Sequence, residues 1–576
     1  MTGTSTLVNN GTIQTLGSGR AIDSNSGVAN LVVTNTGLIS SNTADAFRVN
    51  TNSAVSVTNS GTIRVTNGGQ AIDWAAITSA SNVLVNQATG IITAVGDDAI
   101  RPGVNGIVTN AGTITATPTG GASPSGSDGI DLRTLTGIQI TNTGSISGRS
   151  GIATDGANAG PSTLTVNNNA GTIAGINGSG INIDGANATV TANVTNLLGA
   201  TIRGGVLAVA TNGDGDGIDV DGVLTLTNSG DVLGYGAKGV GSDLLPNNAE
   251  GIAAGGGTIT NNATGRIVGS TLAADAPNGD PTRLGNGILI DNSSGGSAVA
   301  PTTITNSGLI EGRTGFGIKL VGDLNDTVTN SGAIIGNQGN AIDFGGGDDT
   351  LSIQGGLASI LGNIVGGTGT NTVTIDPGLG NTFFYSGAMS QFAVLDVKSG
   401  LVSLSGANTF IQTAQINGGN LRLDGVDRLL LGNGLGLGSN IDLSGGLLEF
   451  ASGGIAQTFN SLSLSDNSTL DLDFAGVTFN GLGTVDPTKT LTIVDFLNPG
   501  AFRFLGDLTG NANFLTLIAN TTIKGAPVVF SFDGTFTTAD AVPEPSTIVL
   551  VGVAFLAVMW RARAARRTTV RLRCRS

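Results

Sequence analysis

A heptamer of the form apolar-x-Asn-x-Gly-x-apolar recurs along the first 340 residues, as in Val57-Thr58-Asn59-Ser60-Gly61-Thr62-Ile63. Asn stands two residues before Gly at Asn9, Asn35, Asn59, Asn110, Asn142, Asn169, Asn228, Asn306 and Asn330. Three further copies, around Gly90, Gly199 and Gly265, insert one or two residues between the Asn and the Gly. The twelve glycines from Gly11 to Gly332 lie 22 to 43 residues apart and average 29. A unit of that length cannot bury an apolar face alone, so it must stack on its neighbours, which is the architecture of a solenoid.

A second motif alternates with the first: a small residue, then Ile, often then Asp. It occurs as Ala21-Ile22-Asp23, Ala71-Ile72-Asp73, Gly129-Ile130-Asp131, Gly217-Ile218-Asp219 and Ala341-Ile342-Asp343. Each period therefore holds at least two short strands of alternating polarity, separated by Gly, Asn, Ser and Asp turns, with almost no segment suited to a helix. The expected fold is all-β: a parallel β-helix, right-handed because parallel crossovers nearly always are. Stacked coils would align Val and Ile into internal columns and Asn amides into a hydrogen-bonded ladder, with Gly supplying a positive φ at the corner. That role accounts for the Asn and Gly without any catalytic one.

The heptamer fills residues 1–345 and then stops. Residues 346–540 read as a β-rich continuation in which Phe becomes common, as in Leu470-Asp471-Leu472-Asp473-Phe474. Within it, VSLSGANTFIQTAQINGGNLRLDG, from Val402 to Gly425, resembles the autotransporter-associated β-strand repeat, with a looser echo at 436–450. The resemblance implies further β-helical coil, as in autotransporter passenger domains, although no terminal set of amphipathic strands follows to make an outer-membrane barrel. Residues 485–540 are expected to cap the open end of the solenoid.

The chain ends differently again. Residues 541–567 contain Pro543-Glu544-Pro545, an unbroken apolar run over 548–560, and then Arg561, Arg563, Arg566 and Arg567, followed by a basic tail at 568–576. Seven of the 25 basic residues lie after Trp560, with no acid among them. An apolar helix stopped by arginines, with an interfacial Trp at the junction, is the pattern of a membrane segment whose basic end stays in the cytoplasm. The order and spacing resemble the PEP-CTERM sorting signal of Gram-negative bacteria. That resemblance implies export, a transient inner-membrane intermediate, and recognition of Pro543-Glu544-Pro545 by an exosortase-type transpeptidase. The start, Met1-Thr2-Gly3-Thr4, lacks the basic and apolar pattern of a secretory signal, so the sequence leads one to expect export information upstream of Met1.

Composition fits an external destination. Gly makes up 94 of 576 residues, and charged residues are 11% against about 25% in ordinary domains. A mean hydropathy of +0.22 argues against disorder. The single cysteine, Cys574, follows the apolar run, so the body has no disulfide. A net charge of −15 argues against nucleic acid as a partner and toward solubility or the binding of cations.

The chain contains no histidine, which removes His-based nucleophile systems and His-ligated metals. The densest acids are Asp214, Asp216, Asp219 and Asp221 in NGDGDGIDVDG, a candidate calcium loop, although Thr225 stands where an EF-hand needs Glu. Gly345 to Leu351 partly matches a calcium-binding RTX nonapeptide, but its echo is 22 residues on rather than nine, which assigns both to turns. Calcium is the one cofactor to be considered. The β-helix also hosts polysaccharide lyases and hydrolases. For such an enzyme the sugar-facing candidates would be Asp73 beside Trp74, and Asp97-Asp98 with Arg101. The sequence reads instead as a non-enzymatic surface or matrix solenoid, structural or adhesive, contacting extracellular polysaccharide or neighbouring surface proteins. A calcium-stiffened spacer and a polysaccharide lyase or hydrolase are the alternatives.

Overall fold

One file of buried amides sets the register of the first unit. The computed structural model describes residues 3–25, 30–120, 126–133, 137–154, 162–241, 244–425, 428–430, 438–451, 453, 456–496, 498–542, 556–561 and 563. In it Asn9, Asn35, Asn59, Asn86, Asn110, Asn142, Asn168, Asn196, Asn228, Asn261, Asn306 and Asn330 stand one above another. Each Nδ2 donates to the Oδ1 of the next at 2.7–3.0 Å. From Asn35 onward all are fully buried. No water can reach an amide there, so each must find its partners within the stack. The second Nδ2 hydrogen is shared with main-chain carbonyls, as from Asn142 to Gly144 and Thr172.

Two sequence expectations are corrected. The ladder runs through Asn168, not Asn169: Asn168 pairs with Asn142 and Asn196, and Ala170, at a φ of 63°, takes up the extra residue before Gly171. Gly199 has the expected positive φ of 82°, but most corner glycines serve a different purpose. Gly37, Gly61, Gly112, Gly144, Gly308 and Gly332 do not have positive φ. They are glycine because a Cβ on Gly144 would lie 2.1 Å from the Gly112 carbonyl oxygen, and one on Gly332 2.2 Å from that of Gly308. Close approach of successive coils excludes a side chain.

Each coil contains three strands, and each strand pairs in parallel with its counterparts one coil away. Ala54–Asn59, Thr62–Val65 and Ile72–Asp73 exemplify the first, second and third faces. On the first face Val57 pairs with Val33 and Leu84, on the second Ile63 with Ile39 and Ile92, and on the third Ile72 with Phe47 and Ile100. All nine side chains are buried. Three apolar columns thus meet inside, each Ile worth roughly 2–3 kcal/mol of burial. The chain is all-β with a long parallel sheet, and unit 1 has the character of a β-solenoid.

The sequence change near residue 345 has a structural counterpart four residues from the Asn file. The inward position at the start of the first-face strand is Ile138, Leu164, Ala192 and Leu224 in successive coils, then Gly257, Thr302, Asp326, Asp349 and Asn371. The Asn file meanwhile turns apolar, Asn330 being followed by Ile353 and Ile375. The buried polar column moves from one end of the strand to the other.

The contacts divide the chain into Met1–Leu421 with Asp427–Ser439, and Arg422–Val426 with Asn440–Ser576. In the second unit a file of phenylalanine rings replaces the amides. Phe450, Phe459, Phe479 and Phe504 follow one another at centroid distances of 5.5–5.8 Å, and Phe514 and Phe530 extend the contact. Parallel pairing ends there. Phe502–Leu505 pairs antiparallel with Phe536–Ala541, and Thr521–Ile523 antiparallel with Ala526–Phe532. The helix Ala512–Ala519, capped by Asn511 Oδ1 accepting from Phe514 N–H, packs Phe514 and Leu517 inward.

Replacing Asn142 by Ala would leave the Asn110 amide and the Asn168 oxygen without their partners in a dry interior. The expected cost is about 2–4 kcal/mol in denaturant unfolding. Asn9→Ala, which within the file removes only the donor to Asn35, is expected to cost less, about 1 kcal/mol, in the same assay.

Candidate functional site

The third face carries a column of charged side chains. Its outward column reads Asp23, Arg48, Asp73, Arg101 and Asp131, alternating in sign, because each side chain after the buried Ile points away from the core. Arg48 bridges to Asp23 at 3.2 Å, and Arg101 to Asp131 at 3.0 Å. Arg101 also contacts Asp98 at 2.7 Å and Asp97 at 3.4 Å. Asp98 is buried, with one oxygen accepting from Asp128 N–H. Burial, followed by the charge of Asp98, pushes Asp131 up to about 7. Asp97, Asp98 and Arg101 are thus committed to one another. Trp74 is not a sugar platform: its ring is buried edge-on against Phe47, at 5.8 Å between centroids.

Further along the same face the charges stop alternating. A groove of about 1180 Å³ is lined by Asp184, Asp214, Asp216, Asp219, Asp221, Glu250, Asp291, Asp323 and Asp343, against Arg149, Arg283 and Lys319. Its floor is the outward column Asn182, Asp219, Ala253, Leu289, Lys319 and Asp343. One wall is an excursion from the coil in which Gly213–Asp214 pairs antiparallel with Ala237–Lys238. The two arginines are partly neutralised, Arg149 by Asp128 at 3.0 Å and Arg283 by Asp280 at 3.3 Å.

The four aspartates singled out from the sequence all face this groove, but they do not converge on one point. Carboxylate oxygens of Asp214, Asp216 and Glu250 lie within 4.8 Å of one another, the one such group among the described residues. Asp219 reaches the groove from the floor strand, and Asp221 is turned to accept from Gly185 N–H at 2.8 Å. Asp216 also accepts from Glu250 N–H at 2.6 Å, and Asn286 Nδ2 donates to Glu250 at 2.8 Å. Burial, then the neighbouring carboxylates, raises Asp216 and Asp219 well above the usual range, and burial pushes Glu250 up to about 7. Such a set of oxygen donors suits a hard cation.

Glu250 was not found from the sequence, although a signal existed. It lies two residues before Ile252 as Asp216 lies two before Ile218, and Asp98 and Asp128 hold the same place in their coils. That position forms a second polar file, in which a side-chain oxygen accepts from the main chain of the following coil, as between Asp128 and Ser150 N–H or Asn286 and Phe316 N–H.

Of the tail, Pro543, Glu544 and Pro545, most of the apolar run, Arg566 and Arg567 lie outside the described residues. Leu556 to Arg561 and Arg563 are helical, with Leu556 and Trp560 exposed. No helix among the described residues is long and apolar enough to cross a membrane.

A β-solenoid body followed by a Pro-Glu-Pro tripeptide, an apolar run and an arginine cluster defines a class: an exported repeat protein with a terminal sorting tail. The family model described as the PEP-CTERM protein-sorting motif matches residues 541–566. No curated protein and no solved structure matches the chain. The motif implies an exported protein sorted by an exosortase, processed at the membrane and bound for the cell surface.

Substituting Arg101 by Ala would strand the buried Asp98 and Asp131. Expected is a loss of about 3 kcal/mol in unfolding free energy, partly restored by adding Asp131→Asn.

Proposed function

We propose that this protein is a structural or adhesive component of the cell surface or extracellular matrix of a Gram-negative bacterium, released or re-attached there by an exosortase acting at Pro543-Glu544-Pro545. The observation that carries the reading is the sorting motif at 541–566 on a repeat body. A solenoid offers many equivalent weak contacts along its surface, so affinity for polysaccharide or neighbouring proteins would come from repetition rather than from one pocket. The passenger-like character of Val402 to Gly425 supports the same role. The reading is non-catalytic. Release of reducing or unsaturated sugar ends from acidic polysaccharide by the purified protein would overturn that part.

Mass spectrometry of the native termini tests the sorting. A mature chain ending at or near Pro543-Glu544-Pro545 in the surface or matrix fraction is expected. An intact Ser576 in a soluble cytoplasmic fraction would refute it.

A second reading rests on the convergence of Asp214, Asp216 and Glu250. Calcium bound there would join two successive coils and stiffen the solenoid. Millimolar calcium is then expected to raise the melting temperature, an effect lost in Asp214→Asn/Glu250→Gln and retained in Asp221→Asn. An unchanged melting temperature would dispose of it.

A further inference from the structure

The column that replaces the Asn file contains two acids where the next coil has an amide. Thr302 N–H donates to Asp326 Oδ1 at 2.6 Å, Asp326 N–H to Asp349 Oδ1 at 2.8 Å, and Asp349 N–H to Asn371 Oδ1 at 2.9 Å. The three acceptors therefore play one part in three successive coils. Asn371 plays it as a neutral group and sends its Nδ2 hydrogens to the carbonyls of Gly366 and Gln391. Asp326 and Asp349 lie where earlier coils carry Ile138 and Leu164, and both are buried, with 6% and 1% of their surface exposed. The Asp349 Oδ2 has no hydrogen-bond partner.

The surroundings contain no compensating charge. The charged groups acting on Asp349 are Asp326 and the adjacent Asp348, both acidic, and none is resolved at Asp326. On either side, Thr302 of the strand Thr302–Asn306 and Asn371, the residue before the strand Thr372–Asp376, stand at this level, both neutral. An ionised Asp349 would place a carboxylate oxygen with neither donor nor cation in the interior, whereas a protonated one is close in shape and polarity to the Asn that fills the next slot.

We propose that Asp326 and Asp349 form a pH-sensitive seam between coils of the solenoid, closed while both acids are protonated and loosened when they ionise. Burial holds Asp326 at about 6 and Asp349 at about 7, against 3.8 for a free aspartate. A folded-state value above the unfolded one makes the folded coil bind more protons. The stability from this column is therefore present in full below 3.8, declines as pH rises, and is exhausted above about 7. A protein delivered outside the cell meets ambient pH directly, so the seam would respond to its surroundings.

Hydrogen exchange read by mass spectrometry over residues 300–376 of the full chain tests this. After correction for intrinsic chemistry, protection there is expected to fall roughly tenfold or more between about pH 5 and pH 8, while the coils of residues 30–120 change little. In Asp326→Asn/Asp349→Asn the fall should vanish, and in Asn371→Asp, which adds a third acid to the column, it should grow. If the double variant does not fold, Asp349→Asn alone should halve the effect or better, and Asn371→Asp still reports independently. Equal pH slopes in the wild type and the Asn variants, or no added slope in Asn371→Asp, would overturn the proposal.

Discussion

An amide side chain in a dry interior has to be satisfied by something at a fixed distance, and in unit 1 that something is the amide of the next coil. The Asn file therefore does more than add hydrogen bonds. It fixes the vertical spacing of coils, the close approach that demands Gly at the corner, and the register that brings Ile63 over Ile39 rather than over a polar neighbour. A one-residue slip would turn the apolar columns outward and leave a run of unpaired amides inside, so packing and polarity enforce the same alignment.

The repeat was legible because it is chemically uniform. Asn, Gly and Ile recur at recognisable spacings, and the parallel strands follow from them. What escaped the sequence was whatever varies chemically while serving one geometric end. The second polar file uses Asp98, Asp128, Asp216, Glu250 and Asn286 in turn, united only by an acceptor oxygen aimed at the next coil. Glu250 joins Asp214 and Asp216 across a whole coil, a proximity that local spacing does not display. The displaced Asn168 was missed for the opposite reason: a run of three asparagines offers three registers, and only stacking against Asn142 and Asn196 selects one.

The third face shows how one column can hold opposite characters. Where Asp and Arg alternate from coil to coil, Arg48 pairs back to Asp23 and Arg101 forward to Asp131, so the charges along the column largely offset one another. Where the chain leaves the coil at 213–238 and the basic residues cease to alternate, carboxylates accumulate instead. The sorting tail and this groove are independent features of the chain: one directs the protein to an address, and the other gives the delivered surface a chemical character.

The amide file also has a direction. In every link the donor is the earlier Asn and the acceptor the later one, so a finished coil always ends with an unspent N–H pointing toward residues still to come. A chain emerging from a narrow conduit with its amino end leading would thus carry its own growing template, each arriving Asn oxygen meeting a donor already in place. In that setting assembly would be vectorial, with transport and folding running in the same direction along the same chain.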